Sequence, residues 1–295
     1  MAEITQKEGT WAFDGEVLRL VPGRGRGVHQ LRIEMGEVSI PLAAIAGVSY
    51  EPGRKGGRLR LRMREGADPF TQGAPDLPDA ANPYSLQVDK DRAGAAEYLA
   101  DAVRNALLLE QVPVDTPSDR YLLPGPPVPR VFQGSDGRVH FDGEQVRIEW
   151  DWGAEEVKKS AGPRTIPLSE LERVEWTRAT WENGSLRFVP KGNYVPMKGT
   201  HDPYAVVLWG LREAREIAQG ALMVAAVSAR LPHPSGGTPA EPARLTKEPH
   251  TPGEKREHDH DGLLRRLREL GELRASGVLT EEEFTQAKRA LLERF

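Results

Sequence analysis

The chain has 295 residues, 38% of them hydrophobic, with 30 Gly, 24 Pro and no Cys. The length suits about two domains with modest cores, and the missing Cys excludes disulfides, thiolate metal sites and a cysteine nucleophile. A formal net charge of −4 gives no global bias toward nucleic acid.

The amino terminus, Met1-Ala2-Glu3-Ile4-Thr5-Gln6-Lys7-Glu8, is charged at once and has no apolar signal core. The longest apolar run, 221–227, falls far short of the roughly 20 residues that cross a bilayer. The expectation is a cytoplasmic protein, at most peripheral to the inner face of the membrane. A first domain is predicted over 8–111. It opens with Trp11-Ala12-Phe13, and Asp14-Gly15 between apolar segments signals a hairpin, because such a turn needs positive φ. Leu31-Arg32-Ile33-Glu34-Met35 alternates with the period of a half-buried strand. Further strands are expected at 39–42, 48–50, 59–63 and 84–88. The period then lengthens: Ala95, Tyr98, Leu99, Ala102, Val103, Ala106 and Leu107 predict an amphipathic helix.

A linker over 112–130 holds Pro113, Pro117, Pro124, Pro126, Pro127 and Pro129, the composition of a stiff spacer. A second domain over 131–231 then repeats the first. Phe13-Asp14-Gly15-Glu16 returns as Phe141-Asp142-Gly143-Glu144, 128 residues on. Ile40-Pro41-Leu42 returns as Ile166-Pro167-Leu168 after 126, and Asn82-Pro83-Tyr84 as Asp202-Pro203-Tyr204 after 120. The order is kept and the drift falls in loops, which reads as an internal duplication. Asn183-Gly184 marks a later turn, 204–209 a final strand, and Leu211, Ile217, Ala221, Leu222, Val224 and Ala225 a closing helix. The expected fold class is therefore α+β: two tandem antiparallel β-barrels or sandwiches, each stopped by its own C-terminal helix.

Residues 232–261 are rich in Pro, Gly, Glu and His without apolar periodicity, the pattern of a disordered linker. The last unit, 262–295, reads as a helical hairpin. Leu263, Leu267, Leu270 and Leu273 form one stripe, and Phe284, Ala287 and Leu291 another, with Gly277 ending the first helix and Thr280/Glu283 capping the second. Two helices of this size do not bury a self-sufficient core, so a partner is implied, either a second copy of the chain or another protein.

Leu270-x-x-Leu273-x-x-x-Gly277-Val278-Leu279-Thr280-Glu281-Glu282-Glu283-Phe284-x-x-x-Lys288-x-x-Leu291-Leu292 closely resembles the bacterial short C-terminal (SHOCT) domain. The Phe-Asp-Gly and Ile-Pro-Leu segments and the closing helix of each repeat resemble the bacterial domain of unknown function numbered 4429. The first resemblance implies oligomerisation or docking. The second implies a pleckstrin-homology-like fold and brings no catalytic residues with it.

The chief candidate for chemistry is basic. Arg58, Arg60, Arg62 and Arg64 alternate with Leu59, Leu61 and Met63, which places four guanidiniums on one face of a strand. Arg24 and Arg26 lie in the Gly23–Gly27 loop, and Arg54-Lys55 precede the arginine strand. Guanidiniums bind phosphate and carboxylate in bidentate fashion, so the set suits an anionic membrane surface or an acidic peptide. The same stripe also reads as the ordinary wet face of an antiparallel strand. Its counterparts in the second repeat are Ser185, Arg187, Val189 and Lys191, so the fold itself does not demand it. Gly23-Arg24-Gly25-Arg26-Gly27 is expected to be a hairpin loop between strands, not a phosphate cradle. His258-Asp259-His260-Asp261 reads as a solvated run, so no metal and no cofactor are expected. Trp150, Trp152, Trp176, Trp181, Tyr194 and Tyr204 suit a core or cross-strand pairs better than base stacking. No nucleophile elbow, His-Glu-x-x-His or kinase glycine loop is present in the sequence. The resulting expectation is a non-enzymatic binding or scaffold protein. Its alternatives are a purely structural protein–protein scaffold with no anion preference, a nucleic-acid binder and a hydrolase.

Overall fold

The structure is a computed structural model that describes residues 1–54, 56–74 and 77–236. Alternation builds its first sheet. In β1 (Ala2–Gln6) Ala2 and Ile4 are buried while Glu3 and Thr5 face solvent; β2 (Gly9–Phe13) buries Trp11 and Phe13, and β3 (Val17–Pro22) buries Leu18 and Leu20. Trp11 pairs with Ile4 on one side and Leu20 on the other. The short helix α1 (Gln30–Met35) leads to β4 (Val38–Pro41), which completes an antiparallel sheet in the order β1-β2-β3-β4. A 3-10 turn at Leu42–Ala44 carries the chain into a second sheet of β5 (Ile45–Gly53), β6 (Gly56–Met63) and β7 (Ser85–Asp89), with α2 (Pro69–Gly73) between the last two. Helix α3 (Ala93–Leu109) closes the repeat by burying Ala96, Leu99, Val103 and Leu107.

The second repeat retraces this path. β8 (Arg130–Gln133), β9 (Gly137–Phe141), β10 (Gln145–Trp150) and β11 (Arg164–Pro167) form one sheet, with α4 (Glu156–Ala161) before the last strand. β12 (Leu171–Thr177), β13 (Gly184–Pro190) and β14 (Ala205–Leu208) form the other, and α5 (Glu213–Ser228) ends the repeat. The agreement reaches single hydrogen bonds. Leu42 N–H donates to Glu16 O and Leu168 N–H to Glu144 O, both at 2.8 Å. Tyr84 N–H donates to Asn82 Oδ1 and Tyr204 N–H to Asp202 Oδ1, both at 2.9 Å. The register slips at Ile45/Gly47 and again at Leu171/Arg173. Both predicted Asp-Gly turns form, with Gly15 at φ 114° and Gly143 at φ 111°.

Several expectations need correction. Neither repeat closes into a barrel: each is a four-stranded and a three-stranded antiparallel sheet. Leu31–Met35 is the helix α1 and not a strand, because His29 Nδ1 caps the Leu31 N–H at 3.2 Å and Gly36, at φ 73°, ends it. The Gly23–Gly27 loop consequently runs into a helix instead of a strand. Tyr98, assigned to the buried face of α3, is 64% exposed.

The second closing helix is not a private plug. Ile217, Ala218, Ala221, Leu222 and Ala225 of α5 enter the core of the first repeat, and Met223, Val224, Ala226 and Val227 the core of the second. The helix packs on α1 and α2 from one side and on β8 and β12 from the other, and the two repeats form one compact unit. Close approach explains two glycines. A Cβ on Gly220 would sit 2.6 Å from Trp176 Nε1, and one on Gly73 would sit 2.3 Å from Val224 Cγ1. At the positions of α3 that match Ile217, Ala221 and Ala225 stand Glu97, Asp101 and Asn105, all exposed. The proline-bearing segment after α3 is also engaged: Ser118 N–H donates to Glu65 O and Leu122 N–H to Ala67 O, both at 2.7 Å, and Leu123 is buried.

A duplicated polar clamp joins the two sheets of each repeat. In the first, Arg32 of α1 donates to Ser85 O at 2.6 Å and lies 3.6 Å from Glu8, whose carboxylate accepts from Gln87 N–H at 3.1 Å. In the second, Lys158 of α4 donates to Ala205 O at 2.7 Å and to Asp136 at 2.5 Å, and Asp136 accepts from Val207 N–H at 2.8 Å. Each partner falls in the repeat frame. Lys158 is 0% exposed and its Nζ also lies 4.8 Å from the Trp150 ring. Burial pushes the Lys158 ammonium down and the Asp136 carboxyl up, and each partner's charge opposes the shift of the other.

Candidate anion-binding surface

Strand β6 places Arg58, Arg60 and Arg62 on one face as alternation requires, but the fold supplies each with an acceptor. Arg58 Nη1 donates to the Asp79 carboxylate, and Nη2 to Gln87 Oε1 at 3.3 Å. Arg60 reaches Glu51 at 3.3 Å and Asp79 at 3.5 Å. Arg62 donates to Ala46 O at 3.4 Å. Arg64, just past the strand, is 8% exposed; it donates to Ala43 O at 2.7 Å and twice to Thr116 O, at 2.9 and 3.2 Å. In the second repeat, Arg187 bonds Asp202 at 3.0 Å and Met197 O at 2.8 Å, while Lys191 donates to Ser169 O at 2.7 Å. The stripe is thus a row of internal ties, with Asp79 and Glu51 offsetting the charge of its first two members.

Arg24, Arg26 and Arg54 are different. They are exposed, and among the described residues they form no ion pair. Lys55 lies outside the described residues. The loops that carry these arginines meet others at one end of the first repeat. Gly23 N–H donates to Glu8 O at 2.9 Å, and Gly27 approaches Lys7 Nζ, which fixes the Gly23–Gly27 loop on the β1–β2 turn. Asp89 N–H donates to Gln6 Oε1 at 3.2 Å, and Gly56 packs against Val88 O and Lys90 N, which adds the β7–α3 junction and the β5–β6 hairpin. Lys7, Lys90 and Arg92 therefore belong to the same end, all exposed and without an ion pair among the described residues. The N-terminus of α3 lies there, entered from a 3-10 turn at Lys90–Arg92 whose Lys90 O takes the Ala93 N–H, with Arg92 at its cap and no side chain capping it. These three cations escaped sequence reasoning because acidic neighbours mask them along the chain: Glu8 follows Lys7, and Asp89 and Asp91 alternate with Lys90 and Arg92. The signal that finds them is the convergence of four loops.

The other candidates disperse. The amide of Leu31 beyond the glycine loop is taken by His29, so no phosphate cradle forms there. Trp150 donates to Gly162 O at 2.9 Å, and Trp176 packs against both cores. Trp152 and Trp181 are 53% and 72% exposed on loops of the second repeat. Tyr194 and Tyr204 meet edge to face at 5.4 Å. Among the described residues no group of three His, Cys, Asp or Glu could hold a metal, and no helix is long and apolar enough to cross a membrane. His258–Asp261 and the partner-helix set Leu263, Leu267, Leu270, Leu273, Phe284, Ala287 and Leu291 lie outside the described residues.

Comparison with curated proteins gives no match. Two family models do match. The Short C-terminal domain covers residues 265–292, and the Domain of unknown function (DUF4429) covers 11–104 and again 139–228. The chain belongs to the DUF4429 family, holding that domain twice in tandem ahead of a short C-terminal domain.

Proposed function

We propose that the chain is a non-catalytic binding protein that holds an anionic membrane surface at the loop end of its first repeat. One observation carries this reading: Lys7, Arg24, Arg26, Arg54, Lys90 and Arg92 gather where four loops meet and lack carboxylate partners among the described residues, whereas the strand arginines have acceptors. The N-terminus of the 17-residue α3, which no side chain caps, adds partial positive charge at the same end. Four strands, then three, then a helix supports the pleckstrin-homology-like reading of each repeat. The short C-terminal domain would gather copies on the inner face of the membrane through Leu267, Leu270, Leu273, Phe284 and Leu291, and weak sites joined this way gain avidity.

Co-sedimentation with vesicles containing phosphatidylserine or phosphatidylglycerol tests this. Each cation near such a surface contributes about 1 kcal/mol, so Arg24→Gln/Arg26→Gln/Arg54→Gln should weaken binding about a hundredfold. Arg58→Gln/Arg60→Gln should change it little. Binding that is insensitive to salt, or equal loss in both variants, would reject the assignment.

A further inference from the structure

Arg64 and Lys191 occupy the same place in the two repeats. Their N–H groups donate to Ala44 O and Glu170 O, both at 2.8 Å, and their side chains to Ala43 O and Ser169 O, both at 2.7 Å. Arg64 has a second task, since its Nε and Nη2 hold Thr116 O. From there Thr116–Leu123 crosses the loop after β6, with Ser118 and Leu122 donating to Glu65 O and Ala67 O. In the second repeat no described residue crosses the corresponding place. It is an open, shallow cleft lined by Glu170, Pro190, Lys191, Asn193, Tyr194, Val195 and Tyr204.

The walls of this cleft are set. The Tyr194 phenol donates to the fully buried Asp202, and the Arg164 guanidinium lies 4.5 Å over the Tyr204 ring. Val195 is 76% exposed. A backbone-binding cation beside an aromatic wall suits an extended, proline-bearing segment. The occupant of the first repeat is of that kind: Thr116-Pro117-Ser118-Asp119, with Leu123 seven residues after the threonine. The sequence holds the same pattern at Thr238-Pro239-Ala240-Glu241, with Leu245 seven residues after its threonine. Within one chain, His233 donates to Gly66 O at 2.8 Å and Ser235 Oγ to Ser118 O at 3.4 Å, so the described chain ends against the first repeat's strap.

We propose that the Lys191–Tyr204 cleft of the second repeat binds residues 238–245 of a second copy of the chain, in the manner that Thr116–Leu123 lies on the first. The test places p-benzoylphenylalanine at position 195 of the full chain and mixes it with an isotopically heavy, unsubstituted chain before irradiation. The expected product is a light–heavy cross-link into 238–245. A fluorescent peptide of residues 238–245 should bind the full chain, and Lys191→Glu or the surface change Val195→Asp should each weaken it at least tenfold, with Arg58→Gln as the unaffected control. Cross-links confined to one chain, cross-links elsewhere or none, or peptide binding indifferent to both variants, would overturn the proposal.

Discussion

Lys158→Met leaves Asp136 buried beside an apolar side chain. The Val207 N–H and its own backbone N–H remain to it, and Ala205 O loses its donor. Breaking one side of a buried ion pair costs about 3–5 kcal/mol, because the surviving charge has neither water nor a counter-ion. Asp136→Asn alone leaves the Lys158 ammonium stranded and should cost a similar amount. The double variant keeps the acceptor for Val207 and holds no buried charge, so its loss should be about 1 kcal/mol, well below the sum of the single losses. Urea unfolding followed by tryptophan fluorescence measures all three. The Lys158→Met deficit should also depend on pH. Burial already raises the Asp136 carboxyl in the folded protein, and loss of the lysine raises it further. A carboxyl raised on folding lowers stability once pH exceeds its unfolded value, near 3.9, and the deficit is complete above the folded value. Lys158→Met should therefore recover stability as pH falls toward 4, until general acid unfolding intervenes. Additive single losses, or a Lys158→Met deficit under 1 kcal/mol, would refute the view that this pair acts as one buried unit.

Leu222→Ala in α5 should cost about 2–5 kcal/mol and lower one shared unfolding transition, because its side chain sits in the first repeat's core while its helix belongs to the second. Two separated transitions in calorimetry would contradict that coupling. Gly220→Ala should destabilise by about 1–3 kcal/mol although alanine is the better helix former, since its methyl would meet the Trp176 indole. A thermal scan showing a gain would mean the indole has room to move.

The duplication was legible because its markers are local and physically constrained. Asp14-Gly15 and Asp142-Gly143 must sit at tight turns, and Asn82-Pro83 and Asp202-Pro203 lead into β7 and β14 through the same side-chain bond to the following tyrosine amide. Leu31–Met35 misled because three apolar residues spaced by two fit both a short strand and a helical turn; only the His29 cap and Gly36 decide. The sharing of α5 was half visible. Its residues 217–227 are apolar nearly all round, which is the mark of a helix buried on every side, whereas α3 keeps Glu97, Asp101 and Asn105. The charge on the arginine stripe was legible but its neutralisation was not, since Asp79 approaches Arg58 and Arg60 from a loop about twenty residues on. The clamp stayed hidden for a related reason: Glu8, Arg32 and Ser85 are far apart in sequence and become a set only when aligned with Asp136, Lys158 and Ala205.

The interlocked helix also governs how the protein is made. A ribosome that has delivered the first repeat has delivered an unfinished object, whose α1 and α2 await a covering encoded more than a hundred residues downstream. The nascent chain must stay soluble through that interval. Separating the repeats onto two polypeptides should then yield halves that precipitate alone and recover when co-expressed.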